Sequence, residues 1–126
     1  MIAPIFHVAL GGAIGATLRY LVGGVIVRTI GVTGFPISIL TVNVVGSFLM
    51  GVFAVIAAHR GLGHLSPLVM TGVLGGFTTF SAFSLEAVTL YERGDVGHAA
   101  LYIAASVGLS IGGLMAGMVL GRGVLA

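Results

Sequence analysis

The stretch Gly72-Val73-Leu74-Gly75-Gly76-Phe77-Thr78-Thr79-Phe80-Ser81-Ala82-Phe83-Ser84 decides how this chain is read. It sits inside an apolar run, opening at Leu68, that is otherwise long enough to be one membrane-crossing helix. A glycine pair, two adjacent threonines and two serines at the centre of such a helix should break it. Glycine gives up the most backbone freedom on becoming helical, and the hydroxyls offer the backbone competing hydrogen bonds. The composition therefore predicts a break over 75–79. Irregular backbone at membrane depth is tolerated only where protein or a water-filled cavity satisfies it, and the carbonyls it frees are common seats of small cations. Phe80 and Phe83, three residues apart, then share one face of the helix that resumes after the break. By themselves, two such rings are ordinary lipid-facing or packing residues.

The rest of the chain places this segment in a membrane. Of 126 residues 58% are hydrophobic, and the only charges are five arginines and three carboxylates, with no lysine. A charged content of 6% against about 25% in soluble domains excludes an ordinary soluble protein. A mean hydropathy of +1.23 and 22 glycines without a Gly-X-Y repeat exclude disordered and collagen-like chains. At about 20 apolar residues per crossing, the length accommodates four spans and no further domain. The spans are expected at about 4–28, 36–60, 68–92 and 97–121 within a single transmembrane domain. The loop from Thr29 to Phe35, the turn from Gly61 to Pro67 and the charged stretch from Tyr91 to Asp95 connect them. About 25 residues make ~37 Å of helix, enough to cross a ~30 Å hydrocarbon core with tilt. The first run is too long for a signal peptide, lacks a basic start and contains Arg19, so it is expected to be a permanent helix. A net charge of +2 without any basic cluster gives no nucleic-acid partner and no polybasic lipid patch. The lack of cysteine removes disulfides and thiolate chemistry.

The arginines are divided almost evenly between the two sides. Arg60 and Arg122 fall on the side of the amino terminus, and Arg28 and Arg93 on the other, with Arg19 inside the first span toward that second side. Since Lys/Arg asymmetry sets the direction of insertion, a balanced chain should insert both ways up. The expectation is dual topology, the two orientations pairing as an antiparallel homodimer.

Within the spans, small residues recur at four-residue spacing: Gly11 and Gly15 before Arg19, then Asn43, Ser47 and Gly51, then Gly113, Gly117 and Gly121. Such faces let helices approach closely in lipid and are ordinary packing features. Asn43 is more informative, because an amide in mid-span either joins two helices or offers its N–H donors to something in a cavity. Arg19 either anchors the helix by snorkelling or lines a water-filled vestibule that attracts anions. Glu86 shares the face of Phe83 and is either an intramembrane functional carboxylate or a group reaching water near Glu92 and Arg93. Tyr102, Ser106 and Ser110 repeat every four residues, a stripe of hydroxyls ~12 Å long that reads as a polar track. His7, His59, His64 and His98 fall near span ends without metal-ligand spacing. No nucleophile and base pair, phosphate loop or paired carboxylate is present, so an enzyme is not expected.

Three motifs together, Gly-Gly-x-x-Gly-Ala-x-x-Arg-Tyr at 11–20, Thr-Val-Asn-x-x-Gly-Ser-Phe at 41–48 and Gly-x-x-Gly-Gly-Phe-Thr-Thr-Phe-Ser-x-Phe at 72–83, resemble the small bacterial fluoride channel family, also called the CrcB or Fluc family. The resemblance covers nearly the whole chain. It implies a multi-pass protein of the bacterial cytoplasmic (inner) membrane, embedded in lipid as an antiparallel dual-topology homodimer. Two narrow fluoride pores and a structural sodium ion at the dimer centre are further implications. Residue by residue, it implies that Asn43 is the pore amide and that Phe80 and Phe83, with Ser81 beside them, belong to the pore. Tyr102, Ser106 and Ser110 would be the hydroxyl track, Arg19 a vestibule residue, and the main-chain carbonyls of Gly75 and Thr78 the sodium ligands. Glu86 matches an acidic position without an assigned role. Ala82 departs from the Thr that many members carry between Ser and Phe, but its neighbours are all in place.

The chemistry is consistent with that implication. Fluoride holds water strongly, so a narrow pore must replace its shell with donors such as amide and hydroxyl hydrogens, and the positive edge of an aromatic ring can assist. With no nucleotide motif and no carboxylate relay, passive efflux of fluoride down its gradient is the expected activity, protecting the cell from fluoride that enters as HF. A small multidrug exporter is the alternative, since it too is a four-helix dual-topology dimer. It depends on a carboxylate in the first helix, where this chain has only Arg19. A scaffold protein would explain the glycine faces but not the Phe, Thr and Ser of the third span.

Overall fold

The computed structural model of the protein describes residues 2–126, which are helical almost throughout. Helix α1 spans Ile2–Ile30, α2 spans Ile37–Arg60 and α5 spans Val96–Leu125. Between α2 and α5 lies a composite third crossing. It opens with a 3-10 turn at Gly63–Leu65 and a π-helical segment at Pro67–Leu74, then passes through a short turn α3 at Gly75–Phe77 into helix α4 at Phe80–Glu92. Among the described residues, four helices are long and apolar enough to cross a membrane, the third being Gly63–Glu92 taken as a whole. The chain is therefore an all-helical, multi-pass membrane protein.

The turns explain themselves locally. Pro36 precedes the first turn of α2, and Gly61 ends α2 at φ +67° with its N–H on the Ala57 carbonyl, a left-handed cap that glycine adopts without strain. Pro67 stands at the first position of the π-helical segment, where its missing N–H costs nothing. Arg93 ties two connections together, its Nη2 donating to the Gly34 carbonyl at 3.1 Å beside Asp95 at 3.9 Å.

The third helix is bent, and the bend is narrower than the glycine content predicts. Gly75 keeps helical angles (φ −65°, ψ −36°) and Gly76 lies within the α3 turn. Only Thr78 (φ −87°, ψ 158°) and Thr79 (φ −152°, ψ 118°) are extended. Gly76 serves packing instead: a Cβ there would meet the Gly12 carbonyl and the Ala16 N–H. The π-helical winding before the bend was not foreseen from the sequence. It places the Gly75 N–H on the Met70 carbonyl, five residues back.

Packing follows the small residues. Gly11 and Gly15 of α1 lie directly against the Leu68 and Val73 carbonyls of the third crossing, and Gly51 and Gly117 seat α2 and α5 against the Leu114 and Phe48 carbonyls. Added methyls at these four positions would overlap backbone, so the helices approach as closely as small-residue faces allow. The largest buried side chains are Tyr102, Leu90 and Val42. Phe83, Ala87, Leu90, Ala99 and Tyr102 form one cluster, covered by Phe35, Ile39 and Leu40. Most other large apolar side chains face outward, the arrangement lipid demands and water would penalise.

Candidate functional site

The site is built around the bend. In an uninterrupted helix the Thr79 N–H would donate to the Gly75 carbonyl, and the Ala82 N–H to the Thr78 carbonyl. Here both donors are diverted by side chains. Thr79 N–H donates to Asn43 Oδ1 at 2.8 Å, and Ala82 N–H donates to Thr79 Oγ1 at 3.1 Å as the N-cap of α4. Asn43 Nδ2 in turn donates to the Thr79 carbonyl at 3.1 Å. Asn43 is thus a bidentate clamp on the N–H and C=O of one residue, Thr79, bridging the two peptide units on either side of it, and one of its two amide hydrogens is left over. Of the alternatives the sequence leaves open, the joining role is occupied and a single donor remains for a ligand.

A cleft of about 350 Å³ opens beside this clamp, lined by Asn43, Ser47, Thr78, Thr79, Phe80, Phe83, Ser106 and Ser110 together with Val107 and Ile111. It has room for several waters at about 30 Å³ each. Residues from α2, the bend, α4 and α5 converge there, so the amide, both phenylalanines and two of the track hydroxyls share one wall. Phe80 is 76% exposed on the single chain, whereas Phe83 is buried.

Tyr102 stands behind the cleft. Its ring meets Phe83 at 5.3 Å and Phe35 edge-on at 5.5 Å and 90°, while Phe80 and Phe83 meet at 5.3 Å. Four rings therefore run from the cleft to the loop before α2. The hydroxyls of Tyr102 and Ser106 are buried and have no hydrogen-bond partner among the described residues. Two buried hydroxyls at the back of a polar cleft can donate to a polar group that enters it.

The remaining predicted residues lie outside the cleft lining. Ser81 is exposed and its Oγ lies 3.3 Å from Thr79 Oγ1. Gly75 is exposed on the single chain. Arg19 is half-buried and its Nε donates to the Gly76 carbonyl at 3.1 Å. Glu86 is also half-buried and faces a separate pocket with Phe35, Ser38 and Ile39. Two contributors were missed in the sequence reading. Thr79 could have been found as a hydroxyl residue heading an apolar helical run. Phe35, a loop aromatic before a proline, carries no such signal and becomes visible only through its contact with Tyr102.

Among the described residues no three His, Asp or Glu side chains converge.

Comparison with known proteins places the sequence. The family model described as CrcB-like protein, Camphor Resistance (CrcB), matches residues 6–118. A protein named fluoride-specific ion channel FluC from Ruegeria sp. (strain TM1040) is 66% identical over 125 residues, covering 99% of both chains. Its namesake in Roseobacter denitrificans is 68% identical over 118 residues, 93% of this chain and 94% of the relative. That of Cereibacter sphaeroides (strain ATCC 17029 / ATH 2.4.9) is 59% identical over 126 residues, covering both chains fully.

Proposed function

This chain belongs to the CrcB-like family, and from that premise we propose that it is a fluoride-selective channel that lets fluoride leave a bacterium passively through the cytoplasmic membrane, limiting fluoride toxicity. The observation that carries the reading is the cleft at the bend. Asn43, Ser106 and Ser110 supply uncharged donors there, Phe80 and Phe83 supply ring edges, and the Tyr102 hydroxyl behind them lacks a partner. Fluoride is small and strongly hydrated, so it enters a narrow passage only if such donors replace its water. Neutral donors and ring edges attract it less than a fixed cation would, which lets it leave again.

The functional unit in this proposal is an antiparallel homodimer containing two such pathways, assembled from chains inserted in both directions. The near-even division of arginines and the large apolar side chains exposed along the helices support it. Gly75 and Thr78 suit a structural sodium ion at the centre of the dimer. The side chains of Asn43 and Thr79 have taken the donors that their carbonyls would have in a helix, which leaves neutral oxygens of the type a hard cation prefers. When bound, sodium would supply fixed positive charge near the anion path.

Purified protein in liposomes loaded with fluoride tests the reading. Rapid release to a fluoride electrode is expected; no release, or equal release of chloride, removes the channel assignment. A reporter fused to the carboxyl terminus should be found on both sides of the membrane, and one found on a single side overturns dual topology.

A further inference from the structure

The extended residues Thr78 and Thr79 free more than two carbonyls. In a continuous helix the Gly76 carbonyl would accept from the Phe80 N–H, but two extended residues take that amide out of helical register. The Gly76 carbonyl is instead taken by Arg19 Nε at 3.1 Å, from a helix 57 residues earlier in the chain. What brings Arg19 there is the small-residue face of α1. Gly11 and Gly15 sit against the third-crossing backbone at Leu68 and Val73, and Gly12 and Ala16 against Gly76. Arg19 is one turn beyond Gly15 on the same face, so its side chain runs along a backbone already in contact and ends at Gly76, one of the carbonyls the bend strips of its donor. The sequence leaves Arg19 between a snorkelling anchor and a vestibule charge; the structure shows a polar group occupied in a specific bond.

We propose that Arg19 is a positioning residue for the bend. Its Nε–H replaces the lost helical donor of Gly76, holds Thr78 and Thr79 extended, and withdraws the Gly76 carbonyl from the set of free oxygens, leaving those of Gly75 and Thr78. Asn43 clamps the bend from α2 and Arg19 latches it from α1, so the cleft is held from two helices. The consequence for ion flow rests on the channel reading above, whereas the consequence for the backbone does not.

The test separates the hydrogen-bond donor from the charge. In Arg19→Gln the amide nitrogen lies as many bonds from Cα as Arg Nε does, so the donor is kept and the charge removed. In Arg19→Met both are removed at similar length. A hydrogen bond made by a charged group contributes enough to shift a local equilibrium by about tenfold or more. Hydrogen exchange of the purified protein should therefore show the Thr79 amide exchanging at least about tenfold faster in Arg19→Met, with Arg19→Gln much closer to the native protein and the amides of α5 unchanged. Fluoride release from liposomes should follow the same order, Arg19→Met falling well below Arg19→Gln. If only Arg19→Met fails to fold, the donor is again the necessary feature. Equal loss in both variants, in folding, exchange or release, assigns Arg19 to charge and overturns the proposal, as does native exchange at Thr79 in Arg19→Met. Absence of fluoride release from the native protein would remove the channel reading and leave the exchange comparison standing.

Discussion

Asn43 and Thr79 are joined by two hydrogen bonds, Thr79 N–H to Asn43 Oδ1 at 2.8 Å and Asn43 Nδ2 to the Thr79 carbonyl at 3.1 Å. An amide suits this pairing, since its oxygen accepts from the Thr79 N–H while its nitrogen donates to the Thr79 carbonyl. Asn43→Asp keeps the acceptor but sets a carboxylate against the Thr79 carbonyl and puts negative charge in a cleft proposed for an anion. The expected result is a loss of about 1–3 kcal/mol in stability together with a large fall in fluoride release. Thermal unfolding in detergent and liposome flux measure the two, and native flux would take Asn43 out of the pathway.

The unpartnered hydroxyl of Tyr102 makes stability and function move in opposite directions. Tyr102→Phe keeps the ring contacts with Phe83 and Phe35 and deletes a buried hydroxyl that has no hydrogen-bond partner among the described residues. Removing it should leave stability unchanged or raise it by about 1 kcal/mol. If that hydroxyl serves the passing ion, fluoride release falls all the same. A destabilised variant would show that the hydroxyl is satisfied by an ordered partner in the membrane.

Phe80 gives a complementary case. Its side chain is 76% exposed on the single chain, so Phe80→Ile removes little packing within the fold and should change chain stability by less than about 1 kcal/mol. The aromatic ring lining the cleft is lost, and on the proposed role of that ring flux should drop sharply. Unaltered release would assign Phe80 to lipid contact or assembly.

Glycines three residues apart on α1 should respond differently. A methyl on Gly15 would overlap the Val73 carbonyl and force α1 away from the third crossing, whereas a methyl on Gly12 meets nothing within 4 Å. Gly15→Ala is expected to destabilise by about 1–3 kcal/mol through overpacking. Gly12→Ala should be neutral, or stabilising by up to about 1 kcal/mol from helix propensity. Parallel unfolding of the two variants in detergent checks this, and equal effects would show that the close approach of α1 is not required.

Four membrane-crossing helices were legible from the lengths of the apolar runs, and the third crossing was marked as unusual by its Gly, Thr and Ser content. Among the residues lining the cleft, Asn43, Ser106 and Ser110 could be singled out because a polar group or a periodic stripe stands out against an apolar background, whereas Phe80 and Phe83 were singled out by the family resemblance. Less was visible in how those groups are used. The glycine pair drew attention to 75–76, yet the extended residues are Thr78 and Thr79, while Gly76 lies helical against Gly12 and Ala16 of α1. Arg19 could be noticed but not assigned, since snorkelling and a vestibule fit the same residue. Phe35 could not be noticed at all.

Apolar runs of this length already imply helices in a membrane, since hydrocarbon leaves a single span no other way of satisfying its own backbone. The tertiary structure alone decided where the third helix bends and which partner each polar group takes. Those outcomes rest on bonds such as Asn43 to Thr79, 36 residues apart, and Arg19 to Gly76, 57 residues apart. Local propensity ranks the weak points of a helix, but the weak point that opens is the one where a side chain from another helix arrives with the missing donor or acceptor.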